Sequence, residues 1–355
     1  MKRKIFFRFL IIFFIAPVIV LLFPRSVEPE LSCIPGWAQA LDSGISVPLA
    51  DPDTSVIPFS TDTVFGYFHP ENGITFTSAA LDGIAISENG FISYTSVPTE
   101  LYFRDTRGRV LTSIDARGYP MYIGSRLFLV QSSRSGITEW DYDREALWDI
   151  EVNTVFTDIT EAQGYLYITT LDGRILEIDQ TGSFMEYRPF DENELQSIYG
   201  IAVSSDRQRM AVVGGLRPQQ LLVFQRIREE AWEVVFTQSF ENAVRRTSYM
   251  EFIEPSGTTL IIERPENTGL LLRDGEDIIY FSDEQPVMAG AMQDEYPGAV
   301  LFAGREIARL GLFSEYSAFW EGTAGVYTEL FLHQEGNSLF YTNGEVFCRL
   351  TMEYR

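Results

Sequence analysis

GYLYITTLDGRILEIDQTGSFMEY, residues 164–187, decides how this chain reads. YLYITT is rich in aromatic and β-branched residues at alternating positions, the pattern of a half-buried strand. Leu171-Asp172-Gly173 is a turn signal, RILEID returns as a second strand, and Gln180-Thr181-Gly182 turns the chain again into SFMEY. The preceding stretch copies the layout: SRLFLVQ, the turn SRSG, ITEWDYD, then REALWDI. Placing Glu177-Ile178-Asp179 on Glu139-Trp140-Asp141 brings the turns into register. The last stretch, SLFYTNGEVFCRLTMEY, carries the same hairpin around Asn343-Gly344.

Working outward, the unit recurs seven times, its second strand starting near Phe91, Leu127, Tyr165, Met210, Thr259, Ala299 and Ser338. The steps are 36, 38, 45, 49, 40 and 39 residues. Short strands at such irregular spacing are the signature of β-propeller blades. The expected fold is therefore all-β, a seven-bladed propeller over residues 62–355; six or eight blades stay open, because the fourth and fifth units are the longest. The seventh unit, with YTELFLH, SLFYT and VFCRL, lacks a fourth strand, and GITFTSA at 73–79 is expected to complete it and close the ring. Residues 226–232, RIREEAW, read as a charged hairpin tip.

ITEWDYDREALWDI, with Asp141 and Trp148, resembles the row of pyrroloquinoline-quinone-type (quinoprotein-like) repeats, in which a strand ending in Asp turns into a strand carrying Trp. GRILEIDQTGSFMEY is similar, with Asp179 and Gly182, and has Tyr187 near the Trp place. The chain also resembles WD-repeat propellers in plan, though no blade has the Gly-His and Trp-Asp pair. In plan it is similar, too, to the propeller lipoproteins of outer-membrane assembly. The repeat resemblances imply a fold, and the likeness to the outer-membrane-assembly propellers is one of plan alone; the row is clear in only two blades.

The N-terminus is of another kind. Residues 1–25 carry Lys2, Arg3, Lys4, Arg8 and Arg25 and no acid, so of the formal charge of −23 the remainder holds −28. A body that acidic repels phosphate backbones, which argues against nucleic acid as a partner. The apolar run is 15 residues from Phe9 to Phe23, or 19 from Ile5 if Arg8 snorkels to the headgroups. Ala38-Gln39-Ala40 lies far behind it for a cleavage site. An uncleaved signal anchor spanning the membrane with residues 5–23 is the favoured reading, with cleavage, or lipidation at Cys33, as alternatives. The basic cluster would keep residue 26 onward on the extracytoplasmic, periplasmic side. Residues 26–61, with Pro29, Pro35, Pro48, Pro52 and Pro58, read as an extended tether. Cys33 and Cys348 either form a bridge in that compartment or are free thiols, Cys348 then buried in a strand.

Candidates for chemistry are few. The two histidines, His69 in a turn and His333 in a strand, have no nameable acid-base partner. Gly214-Gly215 follows a strand and leads to another, which is not a phosphate-cradling loop. Asp141, Asp143, Asp149 and Glu151 are oxygen donors in a hairpin, without the spacing of a calcium loop. Arg217, Arg245 and Arg246 fall in loops and are ordinary turn residues or a contact patch. These observations predict no catalytic, metal or cofactor residues and no cofactor. The expected role is a non-enzymatic scaffold for a protein partner in the bacterial cell envelope. The alternative is an envelope enzyme or small-ligand binder with its site at the mouth of the central channel.

Overall fold

The computed structural model describes residues 31–354 apart from 43, 46, 48–54, 96–97, 116–117, 142–144, 191–195, 216, 229–230, 241, 244, 254–258, 264–268, 274–276, 281–284, 291–297, 304–306, 314–317, 327–329 and 344–345. Contacts divide the chain into two compact units. Pro35–Thr351 holds the blades; Met1–Ile34 with Met352–Arg355 contributes the outer ends of the first and last strands.

The first strand, β1 (Leu31–Ala40), leaves directly for the last blade. Blade 1 is three-stranded: β2 (Ile57–Ser60), β3 (Val64–His69) and β4 (Gly73–Ala79). Six four-stranded antiparallel blades follow. Blade 2 is β5 (Gly83–Ser87), β6 (Gly90–Tyr94), β7 (Glu100–Arg104) and β8 (Val110–Asp115); blade 3 is β9 (Tyr119–Ile123), β10 (Arg126–Val130), β11 (Gly136–Trp140) and β12 (Ala146–Glu151). Blade 4 is β13 (Phe156–Ala162), β14 (Tyr165–Thr170), β15 (Ile175–Ile178) and β16 (Phe184–Tyr187). Blade 5 is β17 (Ile198–Val203), β18 (Arg209–Gly214), β19 (Gln219–Arg228) and β20 (Ala231–Phe240). Blade 6 is β21 (Met250–Phe252), β22 (Thr259–Glu263), β23 (Gly269–Arg273) and β24 (Asp277–Tyr280); blade 7 is β25 (Gln285–Gly290), β26 (Gly298–Ala303), β27 (Ile307–Phe313) and β28 (Ala318–Val326). Blade 8 runs β29 (Leu330–Glu335), β30 (Ser338–Asn343) and β31 (Val346–Tyr354), with β1 as its outer strand.

All seven units expected from the repeat are present as four-stranded sheets, and their second strands start at or within one residue of the expected positions. Two expectations are corrected. Residues 73–79 do not complete the last blade: they are the third strand of blade 1, an additional sheet that makes eight among the described residues. The closing strand is β1, so residues 26–61 are not simply a tether, since both Leu31–Ala40 and Ile57–Ser60 are sheet. Prolines hid both. A proline lacks the N–H that a central strand must donate but is tolerated at a sheet edge. Pro35 lies in an outermost strand and Pro58 in an innermost one. The anchor segment, residues 1–25, lies outside the described residues; among those described no helix is long and apolar enough to cross a membrane.

Blade packs on blade through shared apolar cores, the main source of stability in such a sheet array. Phe91 joins Phe65 and Tyr67 between blades 1 and 2; Phe128 and Ile137 join Leu166 and Leu176 between blades 3 and 4; Tyr167 and Ile175 join Ile201 and Val212 between blades 4 and 5. The ring closes where Phe331, Phe340 and Phe347 of blade 8 meet Phe59 and Phe68 of blade 1. Trp37 of β1 stacks on Phe347 at 5.6 Å between centroids and donates its indole N–H to the Pro70 carbonyl at 2.9 Å. Gln39 accepts the Ile74 N–H at 2.6 Å, so β1 fastens both sides of the seam.

The third turns of blades 2 and 4 are built alike. Asp179 Oδ1 accepts the N–H groups of Thr181 and Ser183, and Asp105 Oδ1 those of Arg107 and Arg109, each turn ending in a glycine with φ of 83° or 81°. A Cβ on Gly182 would lie 2.6 Å from Cγ of Trp148 in blade 3, so the indole covers the bare turn of blade 4. With Glu177 set on Glu139, the residue matching Trp148 is Met185, not Tyr187, because Trp148 pairs with Glu139 and Met185 with Glu177.

Candidate functional site

In each blade the first and third turns open on one face, and the second turn and the connection to the next blade open on the other. On the first of these faces, between blades 4 and 5, lies a cavity of about 330 Å³ lined by Gln163, Asp206, Arg207, Gln208, Arg226, Ile227 and Arg228. Three elements frame it: the first turn of blade 4, the first turn of blade 5 and the end of β19.

Its floor is a buried ionic cluster. Glu177, on β15 and 1% exposed, receives Nη2 of Arg207 and Nη2 of Arg226, each at 2.6 Å on Oε1. Tyr167 donates to the same oxygen at 3.1 Å and Tyr187 donates to Oε2 at 3.0 Å. Arg207 Nε and Arg226 Nη2 also donate to the Tyr167 hydroxyl, at 3.0 and 3.2 Å. The guanidinium of Arg207 lies 3.2 Å from the Tyr165 ring centroid and that of Arg226 lies 4.2 Å from Trp232. Burial alone would push Glu177 up, but the two guanidiniums outweigh it and hold the carboxyl below its ordinary range. Burial, helped by Glu177, pushes the Tyr167 phenol up to about 12, so it stays a neutral donor.

Local sequence explains the placement. Asp206 Oδ1 accepts from Ser204 Oγ and from the Gln208 N–H, a tight side-chain-closed turn that leaves Arg207 at φ 58° with its side chain over blade 4. Gln163 and Gly164, at φ 51° and 80°, form the two-residue turn opposite. Blade 3 has a related arrangement. Arg126 grips Glu139 with two bonds, at 2.8 and 2.5 Å, and reaches the Gly164 carbonyl at 2.6 Å.

The residues singled out from sequence lie elsewhere. His333 packs its ring against Phe68 and Phe340, and burial lowers its pKa, which fits a structural role. His69 Nδ1 accepts the N–H groups of Glu71 and Asn72 and closes a turn. Asp141 Oδ1 accepts the Glu145 N–H, and among the described residues no three His, Cys, Asp or Glu side chains converge as a metal site. Cys33 and Cys348 are both free thiols, and Cys348 is part-buried rather than fully enclosed. Arg246 is ion-paired with the buried Glu263, while Arg217 and Arg245 are exposed. All three lie on the face opposite the cavity. RIREEAW is the hairpin tip expected, with β19 ending at Arg228 and β20 starting at Ala231.

A ring of antiparallel sheets, seven four-stranded and one three-stranded among the described residues, whose last blade takes its outer strand from Leu31–Ala40, defines the class: a β-propeller. The chain belongs to the family described as beta-propeller protein, which matches residues 1–304. No curated protein matches. Among solved structures, BamB from Moraxella catarrhalis is similar at a TM-score of 0.59 and 16% identity, over 90% of this chain and 98% of that one. Hsv2 of Kluyveromyces marxianus is similar at 0.53 and 12%, over 76% and 94%. The dihydro-heme d1 dehydrogenase NirN is similar at 0.53 and 12%, over 74% and 60%. Such likenesses cover both quinoprotein-like and WD-type propellers and speak to fold alone.

Proposed function

We propose that this protein is a non-enzymatic propeller scaffold that binds another protein on the extracytoplasmic side of a bacterial envelope membrane, held there by residues 5–23. The observation that carries the reading is the β19–β20 ribbon. Both strands run ten residues, against four to seven in blades 1–4. β18 ends its pairing at Arg209 opposite Gln225, yet β19 and β20 stay paired to Arg228 and Ala231, so the ribbon outruns its own blade. Among its exposed polar residues it also presents aliphatic ones: Ile227 is 57% exposed, and a bulge that leaves Val235 outside the strand pairing turns Val234 and Val235 outward together. Ile227 on the projecting end and Val234 with Val235 on the outer strand, set beside an arginine-lined cavity, suit contact with another chain. The apolar N-terminal run and the acid-free basic cluster before it support the anchored topology.

The test is a pull-down from gently solubilised membranes with a tag after Arg355, repeated with residues 227–232 replaced by two glycines. A stoichiometric partner retained by the native chain and lost with the shortened ribbon supports the scaffold. A clean monomer even after crosslinking removes it and moves the weight to a small ligand at the channel mouth. A phosphatase fused after Arg355 should be active only if that end is extracytoplasmic.

A further inference from the structure

Resting on that scaffold reading, we infer that the cavity between blades 4 and 5 takes a carboxylate side chain from an acidic, extended segment of the partner. Two guanidiniums at its floor share one carboxylate, Glu177, and Arg228 stands at its edge. Asp206, the acid in the lining itself, is committed to closing its own turn. Among the described residues the lining and its floor thus carry three cations, Arg207, Arg226 and Arg228, against two anions, an excess of one on a body of −28. The forks of Arg207 and Arg226 are turned to Glu177, Tyr167 and the Arg207 carbonyl, so these two supply the positive field while the planar fork that meets the carboxylate is that of Arg228. A monovalent carboxylate balances that excess, whereas a phosphate dianion would overshoot it beside Glu177 and Asp206. The size agrees, since about 330 Å³ admits one side chain and its backbone rather than a folded surface. The surroundings favour a peptide as the carrier. Gln163 and Gln208 present amides, Ile227 presents an apolar contact, and β19 beyond Arg226 has no second-strand neighbour, which leaves a backbone edge for an extended chain.

The probe is a set of blocked octapeptides with one central glutamate among neutral residues, and the same peptides with glutamine, titrated by fluorescence anisotropy against the full chain in detergent. The glutamate peptides should bind at least about tenfold more tightly than the glutamine ones. The preference should shrink as salt rises from about 50 to about 300 mM. Arg228→Glu, at an exposed position away from the buried cluster, should weaken glutamate-peptide binding about tenfold or more without moving the melting temperature. Equal binding of both peptide sets, no binding of either, or an unchanged affinity in Arg228→Glu ends the assignment. So does inorganic phosphate binding more tightly than every peptide. A partner retained by Arg228→Glu in the membrane pull-down leaves the scaffold standing and removes only this inference; no partner for the native chain removes the scaffold itself.

Discussion

Arg226 Nη2 lies 2.6 Å from Oε1 of Glu177, 49 residues earlier in the chain, and so binds the third strand of blade 5 to the third strand of blade 4. A buried carboxylate shared by two arginines is strongly context-bound. Removing the acid strands two cations in low dielectric, while replacing the whole cluster with apolar residues is far less costly.

Glu177→Gln should therefore destabilise the protein by about 3–5 kcal/mol. Chemical denaturation read by tryptophan fluorescence checks this, and a loss below about 1 kcal/mol would show the cluster to be well solvated. The pH dependence has a definite sign. Glu177 is depressed in the fold, so its stabilisation is present above the ordinary carboxylate range and is lost as pH falls through the folded value.

Asp158 on β13 should act in the opposite sense. Burial raises it to about 6, against two N–H bonds, from Ile201 at 3.0 Å and Ile159 at 2.9 Å, that favour the anion. Its folded pKa lies above the unfolded one, so the fold favours the proton. Stability from this group is full below about pH 4 and declines as pH rises to about 6, by on the order of 2–3 kcal/mol. Relative to the wild type, Asp158→Asn should gain melting temperature between pH 4.5 and 7.5. A constant gap between the two curves would remove the raised pKa.

The closure through β1 is testable by trimming. Trp37→Ala, which deletes the stack on Phe347 and the bond to the Pro70 carbonyl, should cost about 3 kcal/mol. A chain beginning at residue 55, which removes β1 entirely, should melt lower still and expose an open outer edge on blade 8. Unchanged melting of that shortened chain would mean that β1 does not fasten the ring.

Gly182 and Gly44 separate backbone strain from packing. Both have positive φ, 83° and 91°, but a Cβ on Gly44 meets nothing within 4 Å, while one on Gly182 meets Trp148 at 2.6 Å. Gly44→Ala should cost about 1 kcal/mol, the strain alone. Gly182→Ala should cost at least about 2 kcal/mol more as the indole is displaced. Equal losses would mean that Trp148 yields freely.

Much of the fold was legible because a repeat averages out local noise. Alternation and turn residues marked the second strand of all seven four-stranded sheets. Blade 1 escaped because IPFS at 57–60 looked like the end of a proline-rich linker. Yet Pro120 and Pro286 also occupy the second position of an innermost strand, as Pro58 does. That shared placement was the available signal. The candidate site was not legible. In sequence Glu177 stands out only as the counterpart of Glu139, and its arginines come from the next blade, where no spacing rule points to them.

The all-β repeat, its units, the acidic body and the basic, apolar N-terminus are all written in the residues, because they follow from local periodicity and composition. Which strand closes the ring and which charges meet emerge in the folded chain alone. Both depend on blades whose contacting residues are far apart in the chain, and a cavity exists only where two such surfaces are brought together.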